Sequence, residues 1–380
     1  MAEIIFFGSL AALFYVYLGY PLIVSLLSRI RPRHIGAGDS YFPAVSIVIA
    51  AHNEEASIAK TIENKLTIDY PEDLLEILVV SDGSTDGTDG IARSYEGRGP
   101  VRFIRQEPRA GKTAALNLAV PLAKADIIVF SDANSIYRRD ALCKLVRNFH
   151  DPEVGYVTGK MLYVDPKGTV IGNGCSAYMR YENFLREQET ALGSVVGVDG
   201  GIDAMRKSLY RPMGPDQLPD FVQPLRVVEQ GYRVVYEAGA VLKEDALGSS
   251  GDEYRMRVRV SLRALWALKD MRHLLGFRHS ALFAWQLWSH KLLRYLCFFF
   301  MAGAYVSNLL ILPGNRVYKT LFVAQSVLYA AALLSPLAEK AGYRFLYVFN
   351  YFVLINGAAM HAFFKFLAGK RQVVWVPRKG

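Results

Sequence analysis

Cysteine is nearly absent. The chain has three in 380 residues, Cys143, Cys175 and Cys297, far apart and without metal-ligand spacing. That argues against a disulfide scaffold and a zinc-thiolate site, and fits reduced, buried thiols facing a cytosol. No G-x-G-x-x-G follows the first strand-like segment, which makes a glycine-fingerprint dinucleotide site a weak fit. Neither an internal repeat nor a low-complexity run is present. Acidic residues are in deficit, 35 against 44 basic, for a formal net charge of +9. Such a balance suits an anionic membrane surface or an anionic substrate. The basic residues are not interleaved with aromatics in any recognisable nucleic-acid module, so no nucleic-acid partner is expected.

Apolar residues are in excess, at 52%, with 12% aromatic, and they concentrate at the two ends. The length allows two domains, or one domain plus membrane segments. Ile4 to Leu27 is a nearly uncharged run, long enough to span a bilayer at roughly 20 residues per crossing. It lacks a basic n-region and a small-x-small cleavage site, so it reads as an anchor and not a signal peptide. Tyr15, Tyr17 and Tyr20 add interfacial aromatics, and Arg29, Arg31 and Arg33 follow. By the positive-inside rule that flank is cytoplasmic and the N-terminus faces out.

Near the other end, Glu253 to Leu275 is basic and amphipathic, as in a helix lying on a membrane surface. The stretch from Ala281 to Lys291, with Trp285 and Trp288, looks interfacial. Leu292–Leu312, Thr320–Leu337 and Phe345–Leu367 are each near spanning length. Four crossings would leave the tail KRQVVWVPRK outside, although its charges favour inside. Either one segment is re-entrant or the tail escapes the charge rule. The apolar segments hold few charges, with Lys291 and Arg294 near an edge, which disfavours a transporter. His361 reads as a packed histidine.

Between the ends the pattern alternates. VSIVIAA, EILVVS, VRFIRQ and IIVF are short apolar or β-branched runs separated by helical stretches, which argues a parallel, doubly wound α/β sheet with right-handed crossovers. In such sheets ligands sit beyond the carboxyl ends of the strands. Polar residues recur at that place four times: Asn53–Glu54, Asp82, Lys112 and Asp132–Asn134. Asp82 can accept hydrogen bonds from a base or ribose, and Lys112, on a loop with Gly111, can contact a diphosphate. Asp132 and Asn134 offer two oxygens one residue apart, which suits a hard divalent cation (Mg or Mn) that also holds a diphosphate. Taken alone, D-x-N is better explained as an Asp capping the next helix; the company it keeps shifts that balance. Asp220 opens LPDFVQPLRVVEQG, a helical pattern closed by Gly231, where a simple N-cap is an adequate reading.

The segments VSIVIAAHNEE, VVSDGSTDGT, GKTAALN and IVFSDANS together resemble the nucleotide-sugar half of family 2 glycosyltransferases with the GT-A fold. The likeness continues through YMRYENFLREQE, the DGG segment and LPDFVQPLRVVEQGYRVVYE, and covers roughly residues 43 to 245. It implies a UDP-sugar donor, a divalent metal and inversion at the anomeric carbon. By the same resemblance Asp82 contacts the nucleotide, and Asp132 with Asn134 stands at the D-x-D metal site, with Asn as a departure that keeps an oxygen ligand. Asp220 falls at the catalytic base; Pro219 replaces the Asp that precedes it in many relatives. Processive synthases of cellulose, chitin and hyaluronan carry Q-x-x-R-W on an amphipathic helix. Here the stretch is RMRVRV, in which Arg257 and Arg259 remain as diphosphate contacts while Met256 and Val260 replace Gln and Trp. Single-sugar addition is therefore expected over polymerisation.

The expected organisation is a GT-A domain, an α/β Rossmann-like mostly parallel sheet on the cytoplasmic side, flanked by transmembrane helices. Residues 1–30 form an N-terminal transmembrane helix, 31–42 a basic linker and 43–250 the glycosyltransferase domain. Residues 251–291 form amphipathic and interfacial helices, 292–370 about three transmembrane segments, and 371–380 a basic tail. The expected protein is a multi-pass enzyme of the inner or plasma membrane that binds membrane lipids and a lipid-linked or glycan acceptor. A processive synthase and a non-catalytic scaffold subunit are the rival readings.

Overall fold

The four apolar runs form strands β1 (Val45–Ala51), β2 (Leu75–Asp82), β3 (Val101–Gln106) and β4 (Ile127–Asp132) in a computed structural model. It describes residues 1–164, 170–245, 250–338 and 346–372. All seven residues of β1 are buried, as befits a strand covered on both faces. Strands β5 (Ile136–Tyr137), β6 (Val154–Val164), β7 (Ile202–Arg206) and β8 (Arg233–Asp245) complete one eight-stranded sheet in the order β3-β2-β1-β4-β7-β6-β8-β5. β1 pairs in parallel with β2 and β4, and β2 with β3.

Beyond β4 the direction reverses. β7 runs antiparallel to β4 and to β6, and β5 antiparallel to β8. The sheet is thus mixed and not mostly parallel, a correction to the sequence reading. The βα alternation that forces parallel crossovers stops after β4, and the later connections let strands return beside their neighbours. In register, Ala50 lies beside Asp132, Ala51 beside Ser81, and Asp82 beside Gln106. The carboxyl ends of four strands therefore meet.

The chain divides into two compact units. One comprises Arg31–Leu162, Arg186–Glu244 and Arg371–Gly380 and contains the sheet. The other, helical, comprises Met1–Ile30, Tyr163–Leu185 and Asp245–Lys370. In the helical unit, Ala2–Ile30 is a helix with a π turn at Tyr15–Gly19. Among the described residues it alone is by itself long and apolar enough to cross a membrane. Ile4, Phe7, Leu18, Leu22 and Leu26 are exposed on it. The span expected at 292–312 is not one straight helix. Ala281–Tyr295 and Cys297–Ile311 together have the length and hydropathy of a span, but bend by 57° at the break between them. Arg316–Ala338 and Leu346–Leu367 follow as helices of 23 and 22 residues. The helix Ser250–Asp270 packs Val258, Leu262 and Leu265 against Ala358 and Ala362. Inside this unit, buried Glu182 accepts hydrogen bonds from Arg294 and from His290 Nε2 at 3.2 Å. Residues 373–380 of the basic tail lie outside the described residues.

Candidate functional site

The Asp132–Asn134 turn hangs from the helix Ile58–Leu66. Three side chains on one face of that helix reach the turn: Thr61 Oγ1 donates to the Ala133 carbonyl at 2.6 Å, Lys65 Nζ to the Ser135 carbonyl at 2.6 Å, and Asn64 Nδ2 to the Tyr137 carbonyl at 2.9 Å. Positions 61, 64 and 65 are three and four apart, so they share a face. Lys65 is fully buried, with its Nζ 3.5 Å from the centroid of the Tyr137 ring. Burial holds the amine well below the usual lysine range, against the opposing pull of Asp132.

At the end of β1, Asn53 adopts φ +55°, a left-handed conformation that asparagine tolerates better than most residues. There its Oδ1 accepts from the Thr85 N–H at 2.8 Å, and the Glu54 N–H donates to Thr88 Oγ1 at 2.8 Å. Glu55 accepts from the Gly87 N–H at 2.8 Å. The first strand's end thus clasps the DGSTDGT turn. Asp82 itself is buried, and its carboxylate accepts from Gln106 Nε2 at 2.5 Å, Ala110 N–H at 2.7 Å and Gly111 N–H at 2.8 Å. His52 Nδ1 donates to the Asp82 carbonyl at 2.7 Å. These contacts fix the loop that delivers Lys112.

Lys112 opens the helix Lys112–Leu122. Its ammonium lies 2.5 Å from Asp132 Oδ1 and 3.8 Å from Asp220 Oδ1. Burial works against its charge, but Asp132 and then Asp220 outweigh that and raise it above the ordinary lysine value. Asp220 reaches this place because the segment before it is tied to the same helix. Thr113 Oγ1 donates to the Gln217 carbonyl at 3.0 Å, and Asn117 Nδ2 to the Met213 carbonyl at 2.7 Å. Asp220 lies in the first turn of the helix Pro219–Glu229, whose N-cap is Leu218. The N-cap reading of Asp220 is thereby replaced.

Against the Asp220 carboxylate lies Gly200, at φ +86°. A Cβ there would fall 2.3 Å from Asp220 Cγ. The preceding loop is pinned by a buried ion pair, Arg186 Nη1 to Asp199 Oδ2 at 2.6 Å, and by Arg186 Nε donating to the Gly197 carbonyl at 3.2 Å.

A Gly-bearing loop, an Asp-x-Asn turn and a carboxylate at a helix start, all at the strand ends, accord with one match. Residues 46–213 match the family described as glycosyl transferase family 2. The chain carries a family 2 glycosyltransferase domain. Over 191 residues it is 33% identical to the beta-monoglucosyldiacylglycerol synthase of Nostoc sp., covering 48% of this chain and 40% of that protein. Over 221 residues it is 27% identical to the poly-beta-1,6-N-acetyl-D-glucosamine synthase of Staphylococcus aureus, covering 57% and 53%. The chain thus spans about half, or less, of the length of these curated relatives. A mannosyltransferase of Pyrobaculum calidifontis, solved with GDP-mannose and Mn2+, shares the fold at TM-score 0.78 and 22% identity, over 97% of this chain and 100% of that one.

Within the sheet-bearing unit, Lys112, Asp132 and Asp220 are brought together, and Asn53, Glu54 and Asp82 line the neighbouring strand ends. Asn134 Nδ2 donates to Glu244 Oε1 at 3.4 Å. Arg257 and Arg259 belong to the helical unit. There Arg257 donates to Glu253 Oε1 at 2.8 Å and to the Tyr351 hydroxyl at 2.5 Å. Among the described residues no cluster of three or more His, Cys, Asp or Glu forms a metal cage. Asp132 and Asn134 nonetheless fit a hard cation that takes its remaining ligands from diphosphate and water, because both offer oxygen.

Sequence reading missed Lys65, Gly200 and Asp203. The signal for Asp203 was a lone charge in the apolar strand I-D-A-M. Its Oδ2 accepts from the Tyr156 hydroxyl at 2.9 Å, while Oδ1 is buried without a hydrogen bond of ordinary geometry, beside Thr158 on the paired strand. Burial pushes this carboxyl up to about 7; the Asp220 charge adds to the rise, and the hydroxyls of Thr158 and Tyr156 oppose it. An unfolded Asp releases its proton near pH ~4, so the folded state binds more protons from there to about 7. The stability tied to that proton is full below pH ~4 and is lost as pH rises through about 7. Asp203→Asn should abolish this slope. In paired melting curves from pH 4 to 8, wild type should lose on the order of 4 kcal/mol relative to the variant. Parallel curves would refute the assignment.

Proposed function

We propose that the chain is a membrane-anchored inverting glycosyltransferase that moves a sugar from a UDP-sugar to a lipid-linked or glycan acceptor. The observation that carries the reading is the Lys112–Asp132–Asp220 constellation at the strand ends of a family 2 domain. In this reading Asp220 takes the proton of the acceptor hydroxyl as its oxygen attacks the anomeric carbon. The nucleoside diphosphate departs on the opposite side, and Lys112 balances its charge. Asp132 and Asn134 would hold a divalent cation, Mg or Mn, which when bound supplies further positive charge against the leaving group. Asp82, with its carboxylate occupied by three donors, keeps the Lys112 loop beside the nucleotide, and Asn53 and Glu54 brace the turn next to it.

Anchoring is supported by the apolar Ala2–Ile30 helix and the arginines that follow it, which favour a cytoplasmic catalytic domain. A multi-pass arrangement in the inner or plasma membrane follows if the bent pair and the two later helices also enter the bilayer. The two relatives, a beta-monoglucosyldiacylglycerol synthase and a poly-beta-1,6-N-acetyl-D-glucosamine synthase, support a membrane-proximal acceptor.

The test is a screen of UDP- and GDP-sugars for nucleotide release by the detergent-purified chain, with Mg2+ or Mn2+ and with lipid and oligosaccharide acceptors. Metal-dependent release with a UDP-sugar, lowered about 10²-fold or more in Asp132→Ala, is expected. Release with a GDP-sugar alone would move the donor to guanine nucleotides. Polymeric product would favour the processive synthase. Donor binding without acceptor-dependent turnover would favour a scaffold.

A further inference from the structure

Lys112 stands where two other roles converge. Its ammonium is 2.5 Å from the carboxylate assigned to the metal and 3.8 Å from the one assigned as base. A divalent ion bonded to Asp132 would lie about 2 Å from a carboxylate oxygen, so metal and ammonium would face each other at close range with like charge. They can share Asp132 only if a further anion lies between them, and the donor's diphosphate is such an anion. A second constraint points the same way. In a single displacement the base and the leaving group lie on opposite sides of the anomeric carbon. An ammonium within ion-pair distance of Asp220 cannot also neutralise the diphosphate from the same position. The backbone at 110–111 is tied to Asp82, so the flexible four-carbon stem of Lys112 is what moves.

We propose that Lys112 is an internal cation that competes with the divalent metal for Asp132 and is drawn off by the donor's diphosphate, so that metal and donor bind as a cooperative pair. This rests on the metal and donor assignments above and adds their regulation. Without donor, Asp132 and Asp220 are neutralised by the protein itself and metal affinity is low. Donor arrival moves the ammonium to the phosphates, frees Asp132 for the metal and leaves Asp220 to the acceptor hydroxyl. Because the linkage is reciprocal, the metal must raise donor affinity by the same factor.

The decisive measurement is Mn2+ binding to the full chain in detergent, followed by electron paramagnetic resonance with no nucleotide present. Lys112→Met and Lys112→Gln, two neutral replacements read side by side, should each bind Mn2+ about tenfold more tightly than wild type. Lys112→Arg, which keeps the charge, should stay close to wild type. Asp132→Ala should remove the site in every background. Equal or weaker Mn2+ affinity in both neutral variants overturns the competition and leaves the metal site standing. Binding that survives Asp132→Ala throughout overturns the metal site, and the competition with it.

Discussion

Asp220→Asn should reduce sugar transfer by about 10²–10⁴-fold, the usual worth of a positioned general base, while donor affinity stays close to wild type. The substitution keeps the shape of the side chain and removes only its capacity to take a proton. Asp220 lies in the first turn of its helix, whose N-cap is Leu218. The fold should therefore survive, and the melting temperature should change little. The loss should appear in kcat and in kcat/KM alike, the signature of an interaction made in the transition state. One refinement follows from Lys112, 3.8 Å away. Removing the Asp220 charge tightens that ammonium's hold on Asp132, so the metal requirement should rise modestly. Unchanged turnover in Asp220→Asn would leave the base unassigned.

Gly200→Ala should be nearly as damaging, by a different route. A methyl at this position would lie 2.3 Å from Asp220 Cγ and Oδ2, far inside van der Waals contact. The backbone at φ +86° also disfavours any side chain. Something has to give, and the loop before Gly200 is held by the buried Arg186–Asp199 pair. The displacement then falls on the Asp220 carboxylate. Displacing a base by an ångström costs roughly 10²-fold, on top of about 1–3 kcal/mol of backbone strain in stability. Kinetics of Gly200→Ala, Asp220→Asn and the double variant separate the two effects. Because the glycine acts through the carboxylate, the double variant should be no slower than Asp220→Asn. Additive losses would mean that Gly200 serves the acceptor and not the base.

The strand-and-loop alternation was legible in sequence because it rests on local chemistry. Buried β-branched runs mark strands, and polar residues at their carboxyl ends mark the crevice. This is why Asn53, Asp82, Lys112 and Asp132 could be named without coordinates, and why the apolar Ala2–Ile30 helix was visible from its composition. The mixed character of the sheet was not legible. Strand direction after β4 depends on which neighbours a strand finds, and a short apolar run reads the same in either direction.

What the sequence by itself determined is the set of chemical groups and their order along parallel strands, since each follows from hydrophobic period and strand termini. Tertiary structure alone decided that Lys112 bridges Asp132 and Asp220, that Gly200 lies against the Asp220 carboxylate, and that Lys65 supports the Asp-x-Asn turn from behind. Those residues are separated by up to a hundred positions or more. Their meeting is set by packing between distant segments, a distance that no local pattern in the chain encodes.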